Sequence, residues 1–298
     1  MLHFKIIVVT FNSIKWIDEC LASCEASQTI VIDNASTDST VIHIRKNYPE
    51  VTLIENKSNI GFGQANNIGI QKAISEGADY VFLLNQDAYL GQDCIEKLIE
   101  VHQNNPEYGI LSPMHLDGNG TNFDWNFSEY LKRISSGNLL FDFIVESTKN
   151  VYPLPFVNAA GWLLPKSTVK RVGLFDPMFF HYGEDENYCQ RVRAHGLKVG
   201  VVPTAHMRHD RENRMRSNIP SLFDKIALER RLKLYLGDIN ITPDFNAKKR
   251  VWRNEILKSL IKFDFRTFYI NLLKFRTLIL VIPEILESRE RNKILNKN

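Results

Sequence analysis

An α/β fold on a mostly parallel sheet follows from two features of the sequence. Short β-branched runs (FKIIVVT, TIVID, VTLIE and YVFLL) are separated by longer stretches with helical spacing. Each run has a continuous apolar centre, the pattern of strands covered on both faces. Strand and helix alternating at this spacing give a Rossmann-like sheet flanked by helices. The 298 residues, 44% apolar and 24% charged, can bury a core. They exclude a disordered, collagen-like or disulfide-stapled chain.

The spacing predicts strands at Phe4–Thr10, Thr29–Asp33, Val51–Glu55 and Tyr80–Leu84. Helices are expected between them at Ile14–Ala22, Thr40–Asn47 and Gln64–Glu76, the second with Asp38 or Ser39 as its N-cap. Residues 117–152 mix Gly, Asn, Phe and Trp without a clear period and read as an irregular insertion. Order returns with a strand-like Phe156–Pro165, helices near Ser167–Val172 and over Glu184–Ala194, and a strand at Lys198–Val202. This frames a main domain over 1–220 and a helical, basic C-terminal extension over 221–298.

The net charge of +3 hides an uneven distribution. Up to Thr204 the balance is 16 Lys and Arg against 23 acids; beyond it, 21 against 11. No basic segment followed by a long apolar stretch opens the chain, so no secretory leader is expected. The apolar window Leu278–Ile282, closed by Pro283, is too short to span a bilayer, which needs about 20 residues. Four sparse cysteines (Cys20, Cys24, Cys94 and Cys189) suit reduced thiols in the cytoplasm. Cys20 and Cys24 lie one helical turn apart but lack the further ligands of a zinc pattern. In the tail, Lys248, Lys249, Arg250 and Arg253 flank Trp252, and Lys258, Lys262 and Arg266 interleave with Phe263, Phe265 and Phe268. That pattern suits peripheral contact with an anionic membrane surface. Helix packing or assembly into a homo-oligomer accounts equally for its apolar half. No recognition module accompanies the charge, so nucleic acid is not an expected partner.

Ligands of such sheets lie beyond the carboxyl ends of the strands. The first strand ends in Thr10-Phe11-Asn12 and the second in Asp33-Asn34-Ala35-Ser36-Thr37-Asp38. These short polar side chains either hydrogen-bond a heterocycle and its ribose or serve as turn and cap residues. The glycine turn at Gly61-Phe62-Gly63 has Asn66 where a dinucleotide fingerprint needs its third glycine, and it does not follow the first strand. It still offers backbone N–H groups to an anion, or simply starts a helix. The fourth strand runs into Asn85-Gln86-Asp87, placing a carboxylate at the sheet edge for Mg²⁺ or Mn²⁺, or for capping the next helix. After an aromatic-rich loop come Glu184, Asp185 and Glu186. Aromatic walls would raise the basicity of such a carboxylate; the plain alternative is a solvated helix N-terminus.

Taken in order, TFN, VIDNASTDST, NxGFGxANNxG, LLNQD and FDPMFFHYGEDE with CQRVRAHG behind it resemble the inverting family 2 glycosyltransferases of GT-A fold. The likeness extends to bacterial O-antigen and capsule enzymes, including rhamnosyltransferase-like members, and covers Phe4 to about His209. It implies transfer of a hexose or deoxyhexose from a UDP- or dTDP-linked donor to a hydroxyl of a glycan or lipid-linked acceptor. It further implies that Thr10, Asn12, Asp33 and Ser36 hold base and ribose, with Asn67 near the donor. Asp87 takes the place of the last acid of an Asp-x-Asp motif and would bind the divalent cation on the diphosphate, with His209, or else His206, as a further ligand. Asp185 would be the general base, supported by Glu184. The chain departs from the pattern at Asn85, in place of the first acid of Asp-x-Asp, and at Asn187, where relatives carry another acid. The latter is expected to weaken acceptor binding or mark a different acceptor. Arg208, Arg211, Arg214 and Arg216 form either a lid over the diphosphate or an exposed charged loop. A non-catalytic nucleotide-sugar or carbohydrate-binding protein on the same scaffold is the alternative function, and a nucleotidyltransferase lacks its basic glycine loop after the first strand.

Overall fold

The computed structural model describes residues 3–132, 139–211 and 224–293. Two compact units divide the chain, Met1–Glu212 and Asn213–Asn298. In the first, a sheet is built from β1 (Phe4–Thr10), β2 (Thr29–Asp33), β3 (Thr52–Glu55), β4 (Tyr80–Asn85), β5 (Ala88–Leu90), β6 (Tyr108–Asp117), β7 (Tyr152–Leu154), β8 (Gly161–Pro165) and β9 (Lys198–His209). Strand order is β3-β2-β1-β4-β8-β6-β9-β5, with β7 on β9. Pairing is parallel through β3-β2-β1-β4 and again at β6-β9, while β8, β5 and β7 run antiparallel to their neighbours.

The helices of this unit are α1 (Ile17–Ala22), α2 (Thr40–Asn47), α3 (Phe62–Ser75), α4 (Cys94–Asn104), α5 (Trp125–Leu131), α6 (Leu139–Ile144), α7 (Lys166–Val172) and α8 (Glu184–Ala194). Side chains alternate across the strands and divide the core into two layers. Ile7 of β1 joins the layer containing Ala65 and Ile70 of α3 and Tyr188 of α8. Ile6 and Val8 join the opposite layer, with Ile17 and Leu21 of α1 and Leu98 of α4.

The expected helix from Ile14 begins instead at Ile17. The Ser13 carbonyl accepts from Trp16 N (2.9 Å) and Ile17 N (3.0 Å), while Ser13 N donates to Thr40 Oγ1 at 2.9 Å, so the preceding residues are tied to the start of α2. Phe156–Pro165 is strand only from Gly161, where pairing with Leu84 begins. The last strand exceeds the expected Lys198–Val202 because, past a register shift at Pro113/Met114, it continues along β6 and then pairs β5. Its second half alternates exposed Thr204 and His206 with buried Ala205 and Met207, so the apolar run ends before the strand does. The segment read as irregular contains α5, capped where Asp124 Oδ1 accepts from Phe127 N at 2.8 Å, together with α6 and β7.

The second unit comprises α9 (Lys225–Gly237), α10 (Phe245–Ile261) and α11 (Phe265–Arg291). Each opens on an aspartate cap, Asp224, Asp244 and Asp264, accepting from Ala227 N, Ala247 N and Thr267 N respectively. Arg289 of α11 donates to the carbonyls of Leu236 (3.1 Å), Asp238 (2.6 Å) and Ile241 (2.8 Å), satisfying the open end of α9. Among the described residues no helix is long and apolar enough to cross a membrane.

Close approach of α3 to β1 requires a residue without Cβ at Gly69: an added Cβ would lie 2.5 Å from Ile7 Cγ2. Ile7 is β-branched and fully buried, so it cannot yield by rotamer change. Gly69→Ala is expected to cost about 2 kcal/mol of unfolding free energy in a urea titration with unchanged slope.

Candidate active site

The loops after β1 and β2 interlock at the sheet's carboxyl edge. Thr10 Oγ1 and Ser36 Oγ both donate to Asp33 Oδ1, at 2.9 and 2.6 Å, and Ser36 N donates to Asp33 Oδ2 at 2.9 Å. Asn12 N donates to Ser36 Oγ at 2.9 Å, and Asn12 Oδ1 receives Thr37 N at 2.8 Å. Asn12 sits in the left-handed region at φ 50°, a conformation that asparagine tolerates better than most residues. Thr10, Asn12, Asp33 and Ser36 are therefore brought together as one rigid cluster, with Thr10 and Asp33 buried and Asn12 exposed. Sequence reading missed two members of this edge. Gln86 brackets Phe11, accepting from Phe11 N at 2.8 Å. Asn34 Oδ1 receives Asn56 Nδ2 at 2.9 Å, while its Nδ2 donates to Gly61 O at 3.2 Å. Both lie within motifs already singled out, but side-chain direction was not readable from spacing.

Asp87 lies two residues beyond the end of β4, and its carboxylate Oδ1 is 3.3 Å from His209 Nε2. Both side chains are nearly inaccessible to solvent. The antiparallel pairing of β5 with β9, with Ala88 opposite His209, makes the approach, and Asp210 N donates to Asp87 O at 2.8 Å. His206 instead is exposed and its carbonyl receives Gly91 N at 3.0 Å, so of the two histidines it is His209 that meets Asp87. Behind His209, His115 is stacked on Phe127 at 4.5 Å and meets Ser112 Oγ through Nε2 at 2.9 Å. Burial holds the His115 pKa well below the usual imidazole value, so the ring is neutral. His209 Nδ1 and Asn85 Oδ1 are both buried with no hydrogen-bond partner. Among the described residues no group of three or more His, Cys, Asp and Glu converges. One carboxylate oxygen and one imidazole nitrogen fit Mg²⁺ or Mn²⁺ held mainly by phosphate oxygens and water.

Asp185 occupies the first turn of α8. Desolvation by the surrounding protein, with Glu186 adding repulsion, pushes its carboxyl pKa up to about 6. Glu186 N donates to Asp185 Oδ1 at 2.8 Å, and the Ala159 backbone amide also favours the ionised form. Glu184 is buried beside α3, where a Cβ on Gly63 would lie 3.5 Å from Glu184 Cβ. One short segment joins the two aspartates: Ala159 acts on Asp185, while Ala160 O receives Asn85 N at 3.0 Å, two residues before Asp87.

The remaining expected residues are engaged elsewhere. Asn67 brackets the backbone of Phe175, donating to its carbonyl at 2.9 Å and accepting from its N–H at 2.8 Å, so its amide holds the loop before α8. Asn187 Oδ1 receives Nε of the buried Arg191 at 3.1 Å, and that guanidinium also donates to Val172 O and Leu174 O at 3.0 and 2.7 Å. Asn187 thus braces the guanidinium that holds the start of the same loop. Arg208 bonds Gly118 O and Glu19, and Arg211 bonds Asp124 at 2.7 Å, so neither forms an open charged loop; Arg214 and Arg216 lie outside the described residues. Asn67→Ala strands the Phe175 N–H in a buried site and leaves the Phe175 carbonyl only the longer bond from Gln64 Nε2, at 3.4 Å. It is expected to cost about 2 to 3 kcal/mol in urea denaturation.

Comparison with known proteins agrees with this architecture. Residues 5–171 match the family model described as Glycosyl transferase family 2. The chain is similar to the low-salt glycan biosynthesis hexosyltransferase Agl10 of Haloferax volcanii, at 24% identity over 74% of this chain and 72% of the relative. It is similar also to the dTDP-rhamnosyl transferase RfbF of Shigella flexneri, at 23% identity over 68% and 67%. Among solved structures, GalNAc-T7 with UDP, GalNAc and Mn²⁺ has a TM-score of 0.57 at 15% identity, covering 80% of this chain but only 51% of its own. The mannosyltransferase PcManGT of Pyrobaculum calidifontis, in complex with GDP-Man and Mn²⁺, has a TM-score of 0.57 at 16% identity over 97% and 73%. These likenesses, with the sheet order and the motifs at its carboxyl edge, place the chain in glycosyltransferase family 2, as a glycosyltransferase with the GT-A fold.

Proposed function

We propose that this enzyme moves a hexose or deoxyhexose, with inversion, from a UDP- or dTDP-linked donor to a hydroxyl of a glycan or lipid-linked acceptor in surface polysaccharide biosynthesis. The observation that carries this reading is the junction at Ala159–Ala160, where one residue hydrogen-bonds a weakly acidic Asp185 and the next accepts from Asn85 N at the strand end leading to Asp87. The names of the relatives support the sugar and the acceptor class. RfbF is a dTDP-rhamnosyl transferase, and a Mycobacterium tuberculosis relative, 25% identical, is an N-acetylglucosaminyl-diphospho-decaprenol L-rhamnosyltransferase.

In this mechanism the cluster of Thr10, Asn12, Asp33 and Ser36 receives base and ribose. Asp87 and His209 would hold a divalent cation, whose chemistry when bound would be to offset negative charge on the diphosphate. Asp185 takes the proton of the acceptor O–H. The freed oxygen pair bonds the anomeric carbon from the face opposite the diphosphate, and the carbon–oxygen bond to phosphate breaks with its electrons on the leaving group. Glu184 supports the start of α8. A carboxyl group with a pKa near 6 is ionised at neutral pH yet more basic than an exposed aspartate, which suits it to this transfer.

Asp185→Asn is expected to lower kcat by about 10³-fold while nucleotide affinity stays within a few-fold, measured by transfer assay and calorimetry. Near-normal turnover would remove the base assignment, and absence of transfer by the parent protein would favour a binding protein. The same substitution tests the pKa through stability. An exposed aspartate titrates near 3.8 and the folded Asp185 near 6, so between these values the folded state holds more protons than the unfolded. Stability therefore falls as pH rises from about 4 to 6 and stays lowered above. Asp185→Asn should raise the melting temperature at pH 7.5 relative to the parent and not at pH 3.5.

Chelation by excess EDTA is expected to abolish transfer, with Mn²⁺ or Mg²⁺ restoring it. Full turnover in EDTA would contradict the role given to Asp87 and His209.

A further inference from the structure

The turn between α10 and α11 breaks a local rule without a compensating contact. Helix α10 closes in a Schellman arrangement, with Phe263 N donating to Leu260 O at 3.1 Å and Asp264 N to Ser259 O at 3.0 Å. The residue in the left-handed position is Phe263, at φ 53°, where glycine is the usual occupant. A side chain there carries a steric cost, and the ring recovers nothing from packing because the residue is 78% exposed. It stands in company: Ile261 is 75% exposed and Phe265 65%, with Leu257, Leu260 and Tyr269 also exposed. Every residue from Leu260 to Thr267 is exposed.

Charge selects the occupant of this tip. From Lys248 to Arg276 there are nine Lys and Arg against two acids, Glu255 and Asp264. Lys262 and Arg266 flank the phenylalanines directly and are exposed. A second copy would bring like charge against like charge, whereas an anionic surface is attracted. Exposed aromatic rings between cations fit the headgroup boundary of a bilayer, and α11 is not apolar enough to cross one.

We propose that the α10–α11 turn docks on an anionic phospholipid surface, with Phe263, Ile261 and Phe265 entering the headgroup region and Lys262 and Arg266 pairing with lipid phosphates. This deepens the proposed function by naming where a lipid-linked acceptor is met, yet it can fail while transfer to a soluble acceptor glycan persists.

The test is flotation of the full chain with vesicles of phosphatidylcholine alone or with 30% phosphatidylglycerol added, in low salt and without donor or acceptor. Binding is expected only with the anionic lipid and falling with salt, by about fivefold for each cation removed. Phe263→Gly is the decisive variant, because glycine suits φ 53° and the turn should be as stable or more so. That variant is expected to lose most vesicle binding with an unchanged or raised melting temperature, and Lys262→Gln with Arg266→Glu should lose more than tenfold. Three results would each overturn the proposal: binding that ignores phosphatidylglycerol or is absent, binding untouched by Phe263→Gly, or a lowered melting temperature in that variant, which would make the ring internal packing. A parent dimer that Phe263→Gly turns into monomer, without vesicle binding, would assign the tip to self-association instead.

Discussion

The meeting of β4 with the segment before β8 is the constraint on which the site rests. β4 must end where its last amide, Asn85 N, reaches Ala160 O, because beyond Leu84 and Gly161 the two strands stop pairing. From that point one chain end turns through Gln86 and Asp87 into β5, and the other leads back through Ala159 to the Asp185 carboxylate. Gly161 is packed closely against β9; an added Cβ would stand 2.4 Å from Met207 Sδ and push that side chain aside. Met207 lies in the half of β9 that is paired with β6 on one edge and β5 on the other, and the pairing with β5 delivers His209 against Asp87.

A carboxylate as enclosed as Asp87 is costly unless something answers its charge. His209 is one answer, and its Nδ1 has no partner. Two protein donors are few for a hard cation, which makes cation and diphosphate mutually dependent in this account rather than separately bound. The loop from Gly173 to Gly183 is secured from both ends: Arg191 holds Val172 and Leu174, Asn67 holds Phe175, and Gly61 at φ 84° packs where a Cβ would strike Phe180 O at 2.1 Å. Such bracing fixes the loop that leads into the first turn of α8, where Asp185 lies.

Much of the fold was legible in the sequence because the buried strands are continuous apolar runs. β1 and β2 and helices α2 and α8 have the expected bounds. What escaped was set by tertiary contact. α1 starts late because Ser13 and Ile14 are committed to Thr40 and Asp38, and β9 is long because it pairs with β6 and β5, strands distant in sequence. Motif residues were found by their position after strands, but not the direction of their side chains. Asn67 was expected near the donor and Asn187 was marked as a departure bearing on the acceptor; the side-chain amide of the first braces the Phe175 backbone and that of the second braces Arg191. Glu184, Asp185 and Glu186 were noted as acids after an aromatic-rich loop, the choice of Asp185 among them came from the family resemblance, and burial is the largest cause of its raised pKa.

The division of labour between Asp87 and Asp185 is the central claim, and Mn²⁺ uptake measured by electron paramagnetic resonance in the presence of UDP or dTDP tests it most directly. The account predicts nucleotide-dependent uptake by the parent enzyme, unchanged uptake by Asp185→Asn, and loss in Asp87→Ala. Equal uptake by all three, or loss in Asp185→Asn as well, would contradict it.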